Sequence, residues 1–163
     1  MRGWGGTGCP GFANLDKAEP LKRGVQCPLA NETRVFRISD PETGATCRYA
    51  AVPSSHTFSS AQQVCTSCFG GQLASIHNYH TNAEMQFWGG IEIKDTEFWI
   101  GGVIDYQNQA VNCHWADGSS WNYAHWQQGY PQHSGHACAT FCVTDGLWRS
   151  ASCAQQMPFV CEF

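Results

Sequence analysis

Ten cysteines in 163 residues limit what this chain can fold into more than any other feature. They are Cys9, Cys27, Cys47, Cys65, Cys68, Cys113, Cys138, Cys142, Cys153 and Cys161. An even count this high, in a chain rich in Gly, Asn and Ser, reads as a disulfide framework made in an oxidising compartment. The competing reading is zinc, because Cys65-x-x-Cys68 and Cys138-x-x-x-Cys142 could together make a four-cysteine site. The Trp/Gly/Asn texture around them is that of an extracellular protein and favours bridges. Asn31-Glu32-Thr33 is a glycosylation sequon with Asn31 as the acceptor, in keeping with that setting. A secreted, extracellular glycoprotein is therefore expected. Met1 to Gly11 hold no apolar stretch of signal-peptide length, so the signal is expected to have been removed.

The composition narrows the function. Hydrophobic residues are 42% and aromatics 13%, enough for a real core, whereas charged residues are only 13%, about half the usual share. The surface must then be dressed with neutral polar side chains. Net charge is −4 and no basic run could track a phosphate backbone, which excludes nucleic acid as the expected partner. No run approaches the roughly 20 apolar residues of a membrane span.

Residues 1–45 differ from the rest. They hold six of the nine Lys/Arg and four of the seven Pro, with little periodicity. They read as an N-terminal extension or leader with one short strand at Arg34 to Ile38, pinned by Cys9 and Cys27; the alternative is a flexible tail. From Thr46 to Phe163 the signals become regular. Cys47 to Val52 reads as a strand. Thr57 caps a helix carrying Phe58, Ala61, Val64, Cys65 and Cys68 at helical spacing, stopped by Gly70-Gly71. Leu73 to Ile76 is a short strand. Asn78 or Thr81 caps a second helix with Met85, Trp88 and Ile91 on one face. Phe98 to Val103 is an apolar, central strand. Asp105 to His136 then forms a long stretch with almost no periodicity; a loop of that length is normally functional, or else it marks a wrong assignment of elements. Ala137 to Val143, Leu147 to Ser150 and Pro158 to Phe163 are the last strands, the first two joined by a turn at Asp145-Gly146.

The order and spacing of these motifs resemble the C-type lectin-like domain. The residues that carry the likeness are Cys65, Gly70-Gly71-Gln72-Leu73-Ala74-Ser75-Ile76, Trp99-Ile100-Gly101-Gly102, Trp115-Ala116-Asp117-Gly118-Ser119, Trp126 and Gly129-Tyr130-Pro131. Cys138, Trp148, Cys153 and Pro158-Phe159-Val160-Cys161 complete it. Within that superfamily the chain resembles the eosinophil major basic protein (bone marrow proteoglycan) family, through Cys47-Arg48-Tyr49, Ser75-Ile76-His77-Asn78 and Trp121-Asn122-Tyr123-Ala124, and through the extra Cys68 and Cys142. The resemblance implies an α+β fold of two helices, two small antiparallel sheets and a long irregular loop. It also implies the bridges Cys65–Cys161 and Cys138–Cys153, each stabilising by roughly 2–4 kcal/mol. Pairing of Cys9, Cys27, Cys47, Cys68, Cys113 and Cys142 stays open between further internal bridges and bonds to another chain, which would make a homo- or hetero-oligomer.

Lectins of this superfamily bind sugar through calcium, which needs converging hard oxygen ligands. They take these from a Glu-Pro-Asn or Gln-Pro-Asp triplet in the long loop and a Trp-Asn-Asp triplet on a later strand. The corresponding places here hold Tyr130-Pro131-Gln132 and Trp148-Arg149-Ser150. Gln132 offers only a neutral carbonyl, and Arg149 puts a cation where a dication should sit. A calcium-independent module that recognises an extracellular protein or glycan is expected instead, in defence or in extracellular matrix. Pro131 is a candidate for a cis bond.

The expected ligand-binding residues are Trp121, Tyr123 and Tyr130 as exposed aromatic anchors, with Gln132, His133, His136 and Arg149 beside them. Trp115 and Trp126 are expected in the core; the alternative is that all five loop aromatics simply pack the loop. His133 and His136 could hold a divalent metal if another ligand converged, but solvated loop histidines are the commoner case, so no metal or other cofactor is assigned. Protonating all seven histidines would carry the net charge from −4 to +3 as pH falls through about 6. The arginine-based polycation chemistry of the major basic protein does not carry over, since residues 46–163 hold only Arg48, Lys94 and Arg149 against eight carboxylates. No nucleophile elbow or HExxH pattern is present, Asp105, Asp117 and Asp145 read as turn formers, and catalysis is not expected.

Overall fold

A computed structural model describes Cys9 and residues 24–132 and 135–163. The strands are β1 (Arg34–Ser39), β2 (Thr46–His56), β3 (Gln72–Leu73), β4 (Glu97–Gln107), β5 (Ala110–Trp115), β6 (Ala137–Cys142), β7 (Trp148–Ala151) and β8 (Met157–Glu162). The helices are α1 (Phe58–Phe69) and α2 (Tyr79–Glu92). The strands run in the order β1-β2-β8-β4-β6-β7, with β3 on β8 and β5 on β4. Two antiparallel groups thus meet at β4 and β8, which touch in parallel at Trp99 and Phe159. The eleven-residue β4 serves both groups: it pairs with β6 through a register shift between Trp99 and Val103, and from Gly102 to Gln107 it pairs with β5 as well.

The sheet has a core on both faces, and this explains the sequence of its central strands. Strands buried on both sides read as continuous apolar runs instead of alternating ones. Ala51 of β2, Phe98 and Ile100 of β4 and Val160 of β8 join the cluster that contains Met85 of α2. Ala50 and Val52, Trp99, and Phe159 and Cys161 face the other way, into the cluster with Ala61, Val64 and Cys65 of α1.

Both helix starts follow their caps. Thr57 accepts from the Ser60 amide and Asn78 from the Thr81 amide at 2.8 Å. Gly70 ends α1 in the left-handed region at φ 67°. Gly71 is needed for a different reason: a Cβ there would sit 2.0 Å from the Glu162 carbonyl oxygen. Met85 is buried and Trp88 packs against the core, but Ile91 is 57% exposed and does not share their face.

Four bridges form: Cys9–Cys47, Cys27–Cys68, Cys65–Cys161 and Cys138–Cys153. The zinc reading of the four knuckle cysteines is therefore replaced, because three of those sulfurs are in bridges and Cys142 is a buried thiol. Cys65–Cys161 ties α1 to β8 across 96 residues, and Cys138–Cys153 closes a span of 15. The segment before Thr46 contributes β1, which pairs along its whole length with β2 and buries Phe36 and Ile38. Asn31 lies exposed in a single 3-10 turn just ahead of it.

The aperiodic stretch is shorter than its composition suggests. Residues 105–107 complete β4, and Ala110–Trp115 returns as β5. Asn108 and Gln109 make the two-residue turn with φ of 52° and 65°, the geometry that suits the twist of a hairpin. The irregular loop proper lies between β5 and β6, with residues 116–132 and 135–136 among those described.

Candidate functional site

The loop folds onto Trp148 of β7. Trp148 is fully buried, and its indole N–H donates to Asn82 Oδ1 on α2 at 2.8 Å. The loop backbone binds both sides of it: Trp148 N donates to the His125 carbonyl at 2.8 Å and Gln127 N to the Trp148 carbonyl at 2.9 Å. Four aromatics surround that indole. Trp115, Trp121, Tyr123 and Trp126 lie 5.4, 5.9, 5.9 and 5.7 Å from it between ring centroids, and Trp115 to Trp121 is 4.5 Å. Such contacts add roughly 0.5–1.5 kcal/mol each beyond area burial. Trp115 is in the core, whereas Trp126 is only partly buried at its edge. Trp121 and Tyr123, expected as exposed anchors, are half-buried against the same core. Burial, with Tyr79 adding, pushes the Tyr123 phenol above its usual range. Neither residue is a fully exposed anchor.

A second set of bonds holds the start of the loop. The buried Asp117 accepts from the Ser119 amide at 2.8 Å, from the Ser119 hydroxyl, and from Ser75 Oγ at 2.6 Å. It is thus a turn former, as expected, and also an anchor to the segment after β3. His77 Nε2 lies 3.1 Å from Ser75 Oγ and Nδ1 2.8 Å from Asn122 Oδ1. Ser, His and Asp are therefore brought together here, but Ser75 is 2% exposed and its hydroxyl proton is committed to Asp117. The arrangement fastens the loop and offers no reachable nucleophile. Asp145 forms its turn by accepting from Leu147 N at 2.9 Å. Asp105 differs from its reading as a turn former, because it lies within β4 beside two histidines.

The two places that hold calcium ligands in lectins lie side by side. Gln132 N donates to Ser150 Oγ at 3.0 Å, which links the loop triplet to β7. The Tyr130–Pro131 bond is cis, Tyr130 is half-buried and Gln132 exposed. Between Asp117 and Asp145 the chain has no Asp or Glu. Arg149 Nη1 donates to Glu97 Oε1 at 2.6 Å, its Nε donates to Gln127 Oε1, and Nη2 lies 4.0 Å from Asp145 Oδ2. The hydrogen bond to Glu97 holds the Arg149 guanidinium above its already high pKa. The residues present do not fit calcium: a permanent cation stands there and takes up the oxygens that a dication would need.

Of the remaining expected residues, His136 belongs to a separate grouping with Asp105 and His114. His133 lies outside the described residues. Three residues that shape the site had no signal in the sequence. Glu97 and Gln127 look like ordinary polar residues until Arg149 is placed between them. Asn82 is a polar residue mid-helix, and only the fold shows that it bonds Trp148, His125 and the Gly146 carbonyl.

The comparisons agree with this architecture. The lectin C-type domain family matches residues 54–163. The chain is 36% identical to proteoglycan 3 of Homo sapiens over 143 residues, covering 88% of this chain and 62% of that protein. It is 34% identical to bone marrow proteoglycan of Mus musculus over 163 residues, covering 99% of this chain and 71% of that protein. It therefore spans about two thirds of the relatives it matches. Among solved structures, human lithostathine superposes with a TM-score of 0.65 at 24% identity, over 85% of this chain and 91% of that one, which shows the fold. Among the described residues no helix is long and apolar enough to cross a membrane. The chain belongs to the C-type lectin domain family, and within it to the relatives of bone marrow proteoglycan.

Proposed function

We propose that this chain is a secreted module that binds an extracellular glycan or protein without calcium, through the rim where the 116–136 loop meets β7. The observation that carries the reading is the Arg149–Glu97–Gln127 grouping. It replaces the calcium ligands with an internal ion pair. Recognition then rests on neutral and aromatic groups: the half-buried Tyr130, Trp121 and Tyr123 and the exposed Gln132. Aromatic side chains and amides of this kind suit the apolar face of a sugar ring or a protein surface. His133 and His136 lie in sequence at the loop's far end and belong to the same proposed binding segment.

The test is a glycan array and a panel of extracellular-matrix proteins probed with the oxidised chain, in calcium and in EDTA. Retention of the same ligands in EDTA is the expected result; loss of all binding on chelation would contradict the reading. A second reading, a disulfide-linked subunit of an extracellular complex, draws on Cys113, the half-buried thiol outside the four bridges. Non-reducing and reducing gels of native material separate the two, because a monomer band in both lanes removes the subunit reading.

A further inference from the structure

We propose that Asp105, His114 and His136 form a surface site for a divalent transition metal, zinc above all, which would fasten the end of the long loop to the β4–β5 hairpin. The register places the three residues together. His114 on β5 opposes Val103, two residues from Asp105 on β4, so that His114 and Asp105 share a face across the hairpin. His136 directly precedes β6, whose Ala137 opposes Ile104, and so flanks Asp105 from the other side. The carboxylate stands between two imidazoles: His136 Nδ1 is 2.7 Å from Asp105 Oδ1 and His114 Nδ1 is 4.0 Å from Asp105 Oδ2.

With zinc–ligand bonds of about 2.0–2.2 Å in tetrahedral geometry, neighbouring ligand atoms lie roughly 3.3 Å apart. The two observed separations fall on either side of that value. The three ligand atoms are not all within 4.8 Å of one another, so an ion would draw both imidazoles in around the carboxylate by side-chain rotation. The side chains can make such rotations, since His136 is 63% exposed, His114 54% and Asp105 30%. Two imidazoles and one carboxylate are a donor set for zinc, not for calcium or magnesium, which prefer all-oxygen shells. The fourth position would be left to water. The His136 ring also lies within 4.8 Å of the Cys138 and Cys153 sulfurs, but these are joined to each other and do not act as thiolate ligands. The proposal does not depend on what the loop recognises.

The test is calorimetric titration of zinc chloride into the oxidised chain at pH 7.5. One zinc per chain is expected. D105N, H114Q and H136Q should each weaken it by more than about tenfold, since even outer-shell losses cost 10–100-fold. Binding should weaken in acid, because protons compete with the metal for its ligand atoms. Melting in EDTA checks that each variant is folded. Ring signals of the parent chain give a readout that needs no variant: His114 and His136 should shift with zinc, and His56 and His77 should not. Absence of saturable uptake, or uptake unchanged in both H114Q and H136Q, would overturn the proposal.

Discussion

Arg149 on β7 reaches over β6 to donate a 2.6 Å hydrogen bond to Glu97 at the start of β4. Both side chains are less than a third exposed, at 29% and 23%. The same guanidinium donates to Gln127 and so links both strands to the loop.

Removal of that charge should be felt in stability. R149M leaves the Glu97 carboxylate and the Gln127 carbonyl without their donor, at a cost of about 1–3 kcal/mol. Urea unfolding should show the loss as a lower midpoint with an unchanged slope. Because the pair is partly buried, 0.5 M salt should mimic little of it.

The aromatic residues of the loop should separate by role. Trp121 contacts Trp115, Trp126 and Trp148. W121A should therefore destabilise by roughly 2–4 kcal/mol and disturb binding and folding together. Tyr130 has no such ring contacts among the described residues, so Y130A should weaken ligand binding while its melting temperature stays near that of the parent chain.

Acid should weaken the fold through His56. Burial pushes its pKa below the ordinary 6.5. Its ring nitrogens lie 3.0 Å from Ser60 Oγ and 3.2 Å from Ser54 Oγ, and its ring packs edge-on against Phe159. The folded chain holds it neutral where the unfolded chain would already be protonated. This contribution is complete above about pH 6.5 and is lost as pH falls through the lower folded value. Denaturation curves at pH 7.5 and 5.5 should differ for the parent chain and differ less for H56Q.

Thiol chemistry should count two cysteines. Cys142 is buried, and burial followed by the nearby Asp105 charge raises the Cys113 thiol. Iodoacetamide at neutral pH should label the folded chain slowly, with Cys113 first, and should label two cysteines per chain after unfolding without reductant. Peptide mapping should then recover the four bridges named above.

Much of this was legible in the sequence, and what was not has physical reasons. Thr57, Gly70 and Asn78 marked the helix ends because caps act locally. The Trp99-Ile100-Gly101-Gly102 strand stood out because both its faces are buried. β5 escaped notice because its turn, Asn108-Gln109, lacks the usual glycine. Its alternation, Val111, Cys113 and Trp115 inward against Asn112 and His114 outward, is legible but only one short strand long. Ile91 misled because a helical stripe can run past the edge of the surface it covers. Trp121 and Tyr123 invited an exposed reading because nothing local announces Trp148 beneath them. Arg149 was recognised as a misfit for calcium from its charge alone, but its partners Glu97 and Gln127 lie 52 and 22 residues away and needed the fold.

Calcium itself gives the most direct measurement. Titration of calcium chloride into the oxidised chain, followed by calorimetry and by thermal melting, should produce no saturable heat and no rise in melting temperature over EDTA. A stoichiometric calcium isotherm with a matching rise in melting temperature would mean that Arg149 yields its oxygens to a dication, and the account of the loop would fail.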